Sequence, residues 1–164
     1  MQRRTFVCSL PLLSTVLLGK TALPSPQQVR FATYRPLIAA VQEHMFPPHL
    51  PLPSATQVHT IDFVEQTLFH PSYDHEVRAY VIEGAATLHT REKHFVDYTP
   101  KEKERALRAY EAEGGAPWLS RILILTLEAM LSDPIYGSNP HKICWRALGT
   151  KGGKPNPKVR YIFS

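Results

Sequence analysis

The stretch "PWLSRILILTLEAML", Pro117–Leu131, decides how this chain folds. It is apolar on nearly every face, and only Arg121 and Glu128 carry charge. Its β-branched residues admit a strand reading of "RILILTL". Its length and the absence of turn signals favour a helix. A helix apolar all round belongs at the centre of a bundle or against a large partner. The expectation is an all-α domain, a single irregular bundle of five to six helices with proline-rich connections.

Upstream of this segment, "FVDYTPKEKERALRAYEAEGG" (95–115) carries its own punctuation. Thr99 caps a helix, Pro100 takes its first position, Glu102 returns the cap, and Gly114 and Gly115 stop it. A preceding helix is expected from Tyr73 to Leu88, with Val77, Tyr80, Val81 and Leu88 turned inward and Gly84 weakening its last turns. Ser54 and Gln57 form a capping-box pattern ahead of a stripe of Val58, Ile61, Val64 and Leu68, with Glu65 bordering that stripe and reaching out to solvent. "FPPHLPLP" (46–53) reads as extended, because proline disfavours helix in the residue before it. A first helix is expected near Tyr34, with Pro36 in its first turn and Leu37, Ile38, Val41 and Met45 at helical spacing. "LPSPQQ" (23–28) reads as a linker. Downstream, Asn139 is expected to cap a short helix that Pro140 starts and Gly149 ends.

The chain opens with "MQRRTFVCSLPLLSTVLLGK". Arg3 and Arg4 precede Phe6 and an apolar run to Gly19, about 14 residues, too short to span a bilayer and diluted by Ser9, Pro11, Ser14 and Thr15. Modest hydrophobicity behind paired arginines reads as a twin-arginine export signal, the route taken by proteins that fold before export. Arg3, Arg4 and Phe6 are its candidate residues. The expected division is a signal segment at 1–24, a helical domain at 25–150 and a basic tail at 151–164.

The formal charge of the 164 residues is +5, with 19 Lys and Arg against 14 acids. Arg3, Arg4 and Lys20 lie in the leader and no acid does, so the remainder carries 16 minus 14, or +2. That balance, with its basic residues clustered only at Lys151, Lys154, Lys158 and Arg160, argues against a nucleic-acid partner. Of the two cysteines, Cys8 sits in the leader and leaves Cys144 alone, so no disulfide framework is implied. No Cys-x-x-Cys-His haem attachment, iron–sulfur spacing, Gly-x-Ser-x-Gly elbow or phosphate-binding glycine loop occurs. Cys144 with His141 is a weak candidate for a nucleophile–base pair. Eight histidines invite a metal reading. Its densest cluster is His70, Asp74 and His75, followed by Glu76, whose imidazoles and carboxylates would suit zinc or a similar ion. A free-standing exported metal- or ligand-binding protein is therefore the alternative function.

One segment carries more. In "TLEAMLSDPIYGSNPHKICWRALG" (126–149), Asp133, Pro134, Tyr136, Gly137, Asn139, Trp145 and Gly149 match a signature of approximate form Asp-Pro-x-Tyr-Gly-Gly-Asn followed by Gly-Trp-Lys-x-x-Gly. With "LIAAVQEHMFPPHLPLPSATQVHTIDFVEQTL" (37–68) and "FVDYTPKEKERALRAYE" (95–111), residues 30–149 resemble the gluconate 2-dehydrogenase subunit 3 family. Ser138 replaces the second glycine, Cys144 stands where glycine is usual, and the ending after Gly149 is longer. The resemblance implies a non-catalytic small subunit of a membrane-associated dehydrogenase, located in the periplasm. It implies no cofactor in this chain, FAD in a large partner of the glucose–methanol–choline oxidoreductase type, and haem c in a third, cytochrome subunit. The twin-arginine translocase is the further expected partner, since the paired arginines would export the folded flavoprotein along with this chain. Trp118 and the seven signature residues are the implied candidates for the partner interface.

Overall fold

The computed structural model describes residues 23–153 and 156–159. Arg3, Arg4 and Phe6 lie outside the described residues. Within them the chain is helical, without a strand.

The first helix, α1, spans Pro26–Met45 and starts well before Tyr34. Its N-terminus is a complete capping box: the Ser25 hydroxyl accepts from the Gln28 amide at 3.3 Å and the Gln28 side chain accepts from the Ser25 N–H at 2.6 Å. Pro26 fills the first position, where no N–H is needed. "LPSPQQ" is therefore largely a helix start and not a linker. Pro36 lies inside α1 and not in its first turn. The carbonyl four residues back belongs to Ala32, on the exposed side, where water can satisfy it. The inner face presents Phe31, Leu37, Ile38, Val41 and Gln42.

Ser54 caps as expected: its hydroxyl accepts from the Gln57 amide, and the Gln57 side chain accepts from the Ser54 N–H at 2.9 Å. The helix it opens breaks at once. His59 adopts a left-handed conformation (φ 62°), dividing α2 (Ala55–Val58) from α3 (Thr60–Leu68). The break lets Val58 and Val64 both reach buried positions on different parts of the core. Glu65 does not simply face solvent. Arg35 of α1 bridges Glu65, at 2.9 Å, and Asp62. These pairs are about half exposed, so they orient α3 on α1 more than they stabilise it.

Helix α4 spans His75–Arg91, with Asp74 accepting from the amides of Glu76 and Val77. Val81, Ile82, Ala85 and Leu88 are buried, and Val77 is partly so. Tyr80, expected inside, is 43 % exposed. The inner face of α4 is centred on Val81, Ala85 and Leu88, and it buries Ile82 on one edge while Tyr80 stands at the other. The capped helix α5 (Pro100–Tyr110) follows as expected, with Thr99 and Glu102 closing the box.

Gly114 and Gly115 kink the path and do not stop it. Residues Glu111–Gly115 form a wide π-turn in which Gly114 takes φ 99°, and α6 begins directly at Ala116 and runs to Leu131. A positive φ at that point is open to glycine at little cost. The largest core cluster then gathers around α1, with Phe31, Ile38, Leu88, Phe95 and Ile122 among its fully buried members. A smaller cluster of Val58, Met130 and Cys144 closes the far end of α6. The last helix, α7, is only Ile143–Ala147.

Candidate functional site

The signature residues fold into one knot at the end of α6. Asp133 caps a 3-10 turn at Pro134–Tyr136, its Oδ1 accepting from the Ile135 amide at 3.1 Å. Gly137 follows with φ 91°, which reverses the chain. Asn139, expected to cap a helix with its side chain, sits instead fully buried with φ 51°, and its amide ties three elements together. Its Nδ2 donates to the Ser132 carbonyl at 3.0 Å, its Oδ1 accepts from the Cys144 amide at 2.9 Å, and its own N–H donates to the Val58 carbonyl at 3.0 Å. Pro140 starts only a 3-10 turn to Lys142, because His141 and Lys142 also adopt positive φ (53° and 58°). Three non-glycine residues in that region cost roughly 1 kcal/mol each or more, Asn least. The buried Asn139 hydrogen bonds and the docking of Lys142 offset them.

Lys142 lies 4.9 Å above the Trp145 ring and 3.9 Å from Asp133 Oδ2, a buried oxygen with no hydrogen bond among the described residues. Trp145 donates its indole N–H to the Leu131 carbonyl at 2.9 Å, satisfying the end of α6. Gly149 ends α7 with φ 66°. Trp118 is likewise internal, 2 % exposed, and donates to the Val81 carbonyl at 3.0 Å. Trp118, Asn139 and Trp145 thus face the interior of this chain. Trp118 packs at the start of α6 and Asn139 and Trp145 at its end, and their side chains offer little surface to another protein.

The metal reading finds no geometry. His70 Nδ1 pairs with the Ser72 hydroxyl at 2.8 Å, Asp74 is occupied by the α4 cap, and His75 is exposed. Among the described residues no three or more His, Cys, Asp or Glu side chains converge as a metal would require. Cys144 is buried, and burial pushes its thiol up to about 11, opposite to the activation a nucleophile needs. Its neighbour His141 is exposed. No helix among the described residues is long and apolar enough to cross a membrane.

What remains is a surface. α6 buries Trp118, Ile122, Leu125, Thr126, Ala129 and Met130. The opposite side of the same helix exposes Leu123 (38 %), Ile124 (45 %), Leu127 (38 %) and Leu131 (49 %). With the exposed Ser120 these residues form an uncharged stripe about 16 Å long. Arg121 and Glu128 flank one edge. Along the other edge Leu123 enters a shallow groove shared with Met45, Leu107 and Leu119, bordered by Glu104 and Glu111. There His44 bonds Glu104 at 2.7 Å and Arg108 bonds it at 2.6 Å. The sequence marks Trp118–Leu131 as too apolar for a free helix but does not single out these four side chains.

Comparison with curated proteins and with solved structures returns no match. One family model matches, over residues 32–153, and its description is gluconate 2-dehydrogenase subunit 3. That span runs from the second turn of α1 through the knot at Asn139 and the end of α7. The chain belongs to the gluconate 2-dehydrogenase subunit 3 family.

Proposed function

We propose that this chain is a non-catalytic accessory subunit of a dehydrogenase complex, and that the outward stripe of α6 is where it holds its larger partner. Family membership supports the coarser reading, a subunit of such a complex. The observation that carries the finer one is the stripe itself: Leu123, Ile124, Leu127 and Leu131 stand in a continuous row without a charged residue among them. Permanent interfaces are centred on such apolar, charge-depleted surface with a polar rim.

The partner is an FAD-dependent dehydrogenase of the glucose–methanol–choline type that oxidises a sugar, a sugar acid or a polyol. A cytochrome c subunit takes its electrons onward. The complex sits on the periplasmic side of the inner membrane. The paired arginines Arg3 and Arg4 direct export of the folded pair through the twin-arginine translocase, which suits a partner that must receive its flavin before export. The role of this chain is to stabilise that partner and to carry the address.

Co-expression tests this. The tagged chain, produced with a large FAD-dependent dehydrogenase subunit from the same organism, is expected to co-purify with a yellow, FAD-containing subunit. Leu127→Asp is expected to lose that subunit while the chain keeps its own helical signal, because residue 127 is not part of its core. Dehydrogenase turnover, or a tightly held flavin, in the purified chain alone would overturn the proposal.

A further inference from the structure

Arg121 and Glu128 are the charged residues of α6, and among the described residues neither makes an ion pair. Arg30, Arg35, Arg91 and Arg108, by contrast, are each engaged with a glutamate. The Tyr73 phenol stands near both α6 charges, but it is uncharged at neutral pH and completes neither. Seven residues are close to two full helical turns, so Arg121 and Glu128 lie on one edge of the helix, about 10 Å apart. Beside that edge the outward stripe has a spacing of its own. Ser120, Ile124, Leu127 and Leu131 recur at intervals of four, three and four, the seam spacing of paired helices, and all four face outward.

We propose that, in the absence of its larger partner, the chain forms a two-fold symmetric dimer in which α6 packs antiparallel against α6 of a second copy. Charge complementarity fixes both this occupant and its direction. A two-fold axis perpendicular to the helices sets the charged edge of one copy beside the same edge of the other, running the opposite way. Arg121 of each copy then meets Glu128 of the other, so the charges left unpaired within one chain are paired between two. In the seam Ile124 lies across from Leu127 of the second copy, and the small Ser120 lies across from Leu131. In that register Arg121 is offset from Glu128 of the second copy by two residues, about 3 Å along the axis, which an arginine side chain spans. Parallel pairing turns the charged edge toward the edge that carries Leu123 and leaves both charges against an apolar neighbour.

Four partly exposed apolar side chains per copy make a small interface, below the roughly 1,200 Å² of standard complexes. The dimer is accordingly concentration-dependent, and the ion pairs at its rim set register and direction more than affinity. Dimer and dehydrogenase complex exclude one another, a consequence that rests on the partner site proposed above. Self-pairing then keeps the apolar row covered until a partner that buries more surface arrives.

Sedimentation equilibrium of the full chain at low salt, from about 1 to about 200 µM, tests this. The parent is expected to pass from monomer to dimer and no further, because a two-fold contact closes on itself. Arg121→Glu and Glu128→Arg are each expected to weaken dimerisation about fivefold or more, since each sets like charges together at both ends of the seam. Mixed in equal amounts, the two variants are expected to form a heterodimer at least as tight as the parent dimer, because positions 121 and 128 again oppose one another with opposite charge. The double variant Arg121→Glu, Glu128→Arg is expected to pair with itself. A parent that stays monomeric over this range overturns the proposal and leaves the stripe to the dehydrogenase subunit alone. A dimer indifferent to both charge reversals, or one that the mixture fails to restore, overturns it by placing the contact elsewhere. Added dehydrogenase subunit is expected to dissolve the dimer into one-to-one complexes, and a dimer that binds it intact overturns the mutual exclusion. Capture of that subunit by a chain that never dimerises sinks this inference alone, whereas dimerisation without capture sinks the proposed partner and not the dimer.

Discussion

The indole of Trp118 occupies the space where a side chain on Gly84 would stand. A Cβ placed on residue 84 would overlap Trp118 Cδ1. The indole N–H at the same time reaches the Val81 carbonyl, one turn earlier on α4, at 3.0 Å. Tyr110 packs edge-on against the same ring, with centroids 5.9 Å apart. Helices α4 and α6 approach as closely as they do because one of them lacks a side chain at this point.

Gly84→Ala is accordingly expected to destabilise the chain, although alanine is the better helix former by about 1 kcal/mol. The added methyl must displace a buried ring held by a hydrogen bond, and overpacking of this kind costs about 1–3 kcal/mol. A net loss of about 1 kcal/mol or more in urea unfolding is the expected outcome. A Gly84→Ala variant as stable as the parent or more so would mean that Trp118 moves freely, contrary to its contacts.

A second test concerns the polar link inside the core. Gln42 and Thr126 are both fully buried, and Gln42 Nε2 donates to Thr126 Oγ1 at 3.0 Å. Thr60 donates to Gln42 Oε1 at 3.2 Å, so α1, α3 and α6 meet in one satisfied network. Thr126→Val leaves the Gln42 amide without its acceptor and is expected to cost about 1–3 kcal/mol. The double variant Gln42→Leu, Thr126→Val removes donor and acceptor together. It is expected to recover part of that loss, giving a coupling of about 1 kcal/mol in a double-mutant cycle. Strict additivity of the two substitutions would show that the pair does not act as a unit.

These two contacts also explain what can and cannot be read from the sequence. The capping boxes at Ser54–Gln57 and Thr99–Glu102 are legible because a cap is a local event between residues three apart. The same grammar at Ser25–Gln28 is masked by the prolines on either side, which suggest a linker, though Pro26 is at the one position where a helix welcomes it. The helical nature of Pro117–Leu131 is legible from its length. Its rotation about its own axis is not, since a segment apolar all round carries no phase. Gly84 and Gln42 set that phase from elsewhere in the chain, turning Trp118 and even the polar Thr126 inward and leaving Leu123, Ile124, Leu127 and Leu131 outside. Asn139 is legible as a turn residue but not as a buried tie, because its partners Ser132, Val58 and Cys144 come from three different places.

The export proposal makes its own prediction. Arg3→Lys together with Arg4→Lys keeps the charge of the leader but removes both guanidinium groups, which are not equivalent to ammonium in recognition. Both this chain and the dehydrogenase subunit are expected to remain in the cytoplasm, still associated, when cell fractions are immunoblotted. Normal periplasmic dehydrogenase activity in that variant would remove the idea that one chain carries the other out.

The last prediction concerns acid. Four glutamates have carboxyls held below their ordinary value: Glu83 and Glu113 by hydrogen bonds from Arg30 and Arg91, Glu104 by His44, and Glu102 by the hydroxyl and N–H of Thr99. Each is depressed in the folded state, so each contributes stability that is present above its ordinary value of 4.5 and disappears as pH falls through the lower folded value. The midpoint of thermal unfolding is therefore expected to drop as pH is taken from about 5 to about 3. Glu83 and Glu113 act through exposed arginine pairs that salt screens, and Glu104 through its hydrogen bond with His44. Glu102 acts through a capping box, and Gln28 and Gln57 show that glutamine closes the same box in this chain without ionising. Glu102→Gln should keep helix α5 capped at neutral pH, leave the melting temperature there little changed, and make its fall in acid shallower, most clearly in high salt. If the acid slope of that variant matches the parent under those conditions, the cap of α5 has no part in the titration and the loss belongs to the other three glutamates.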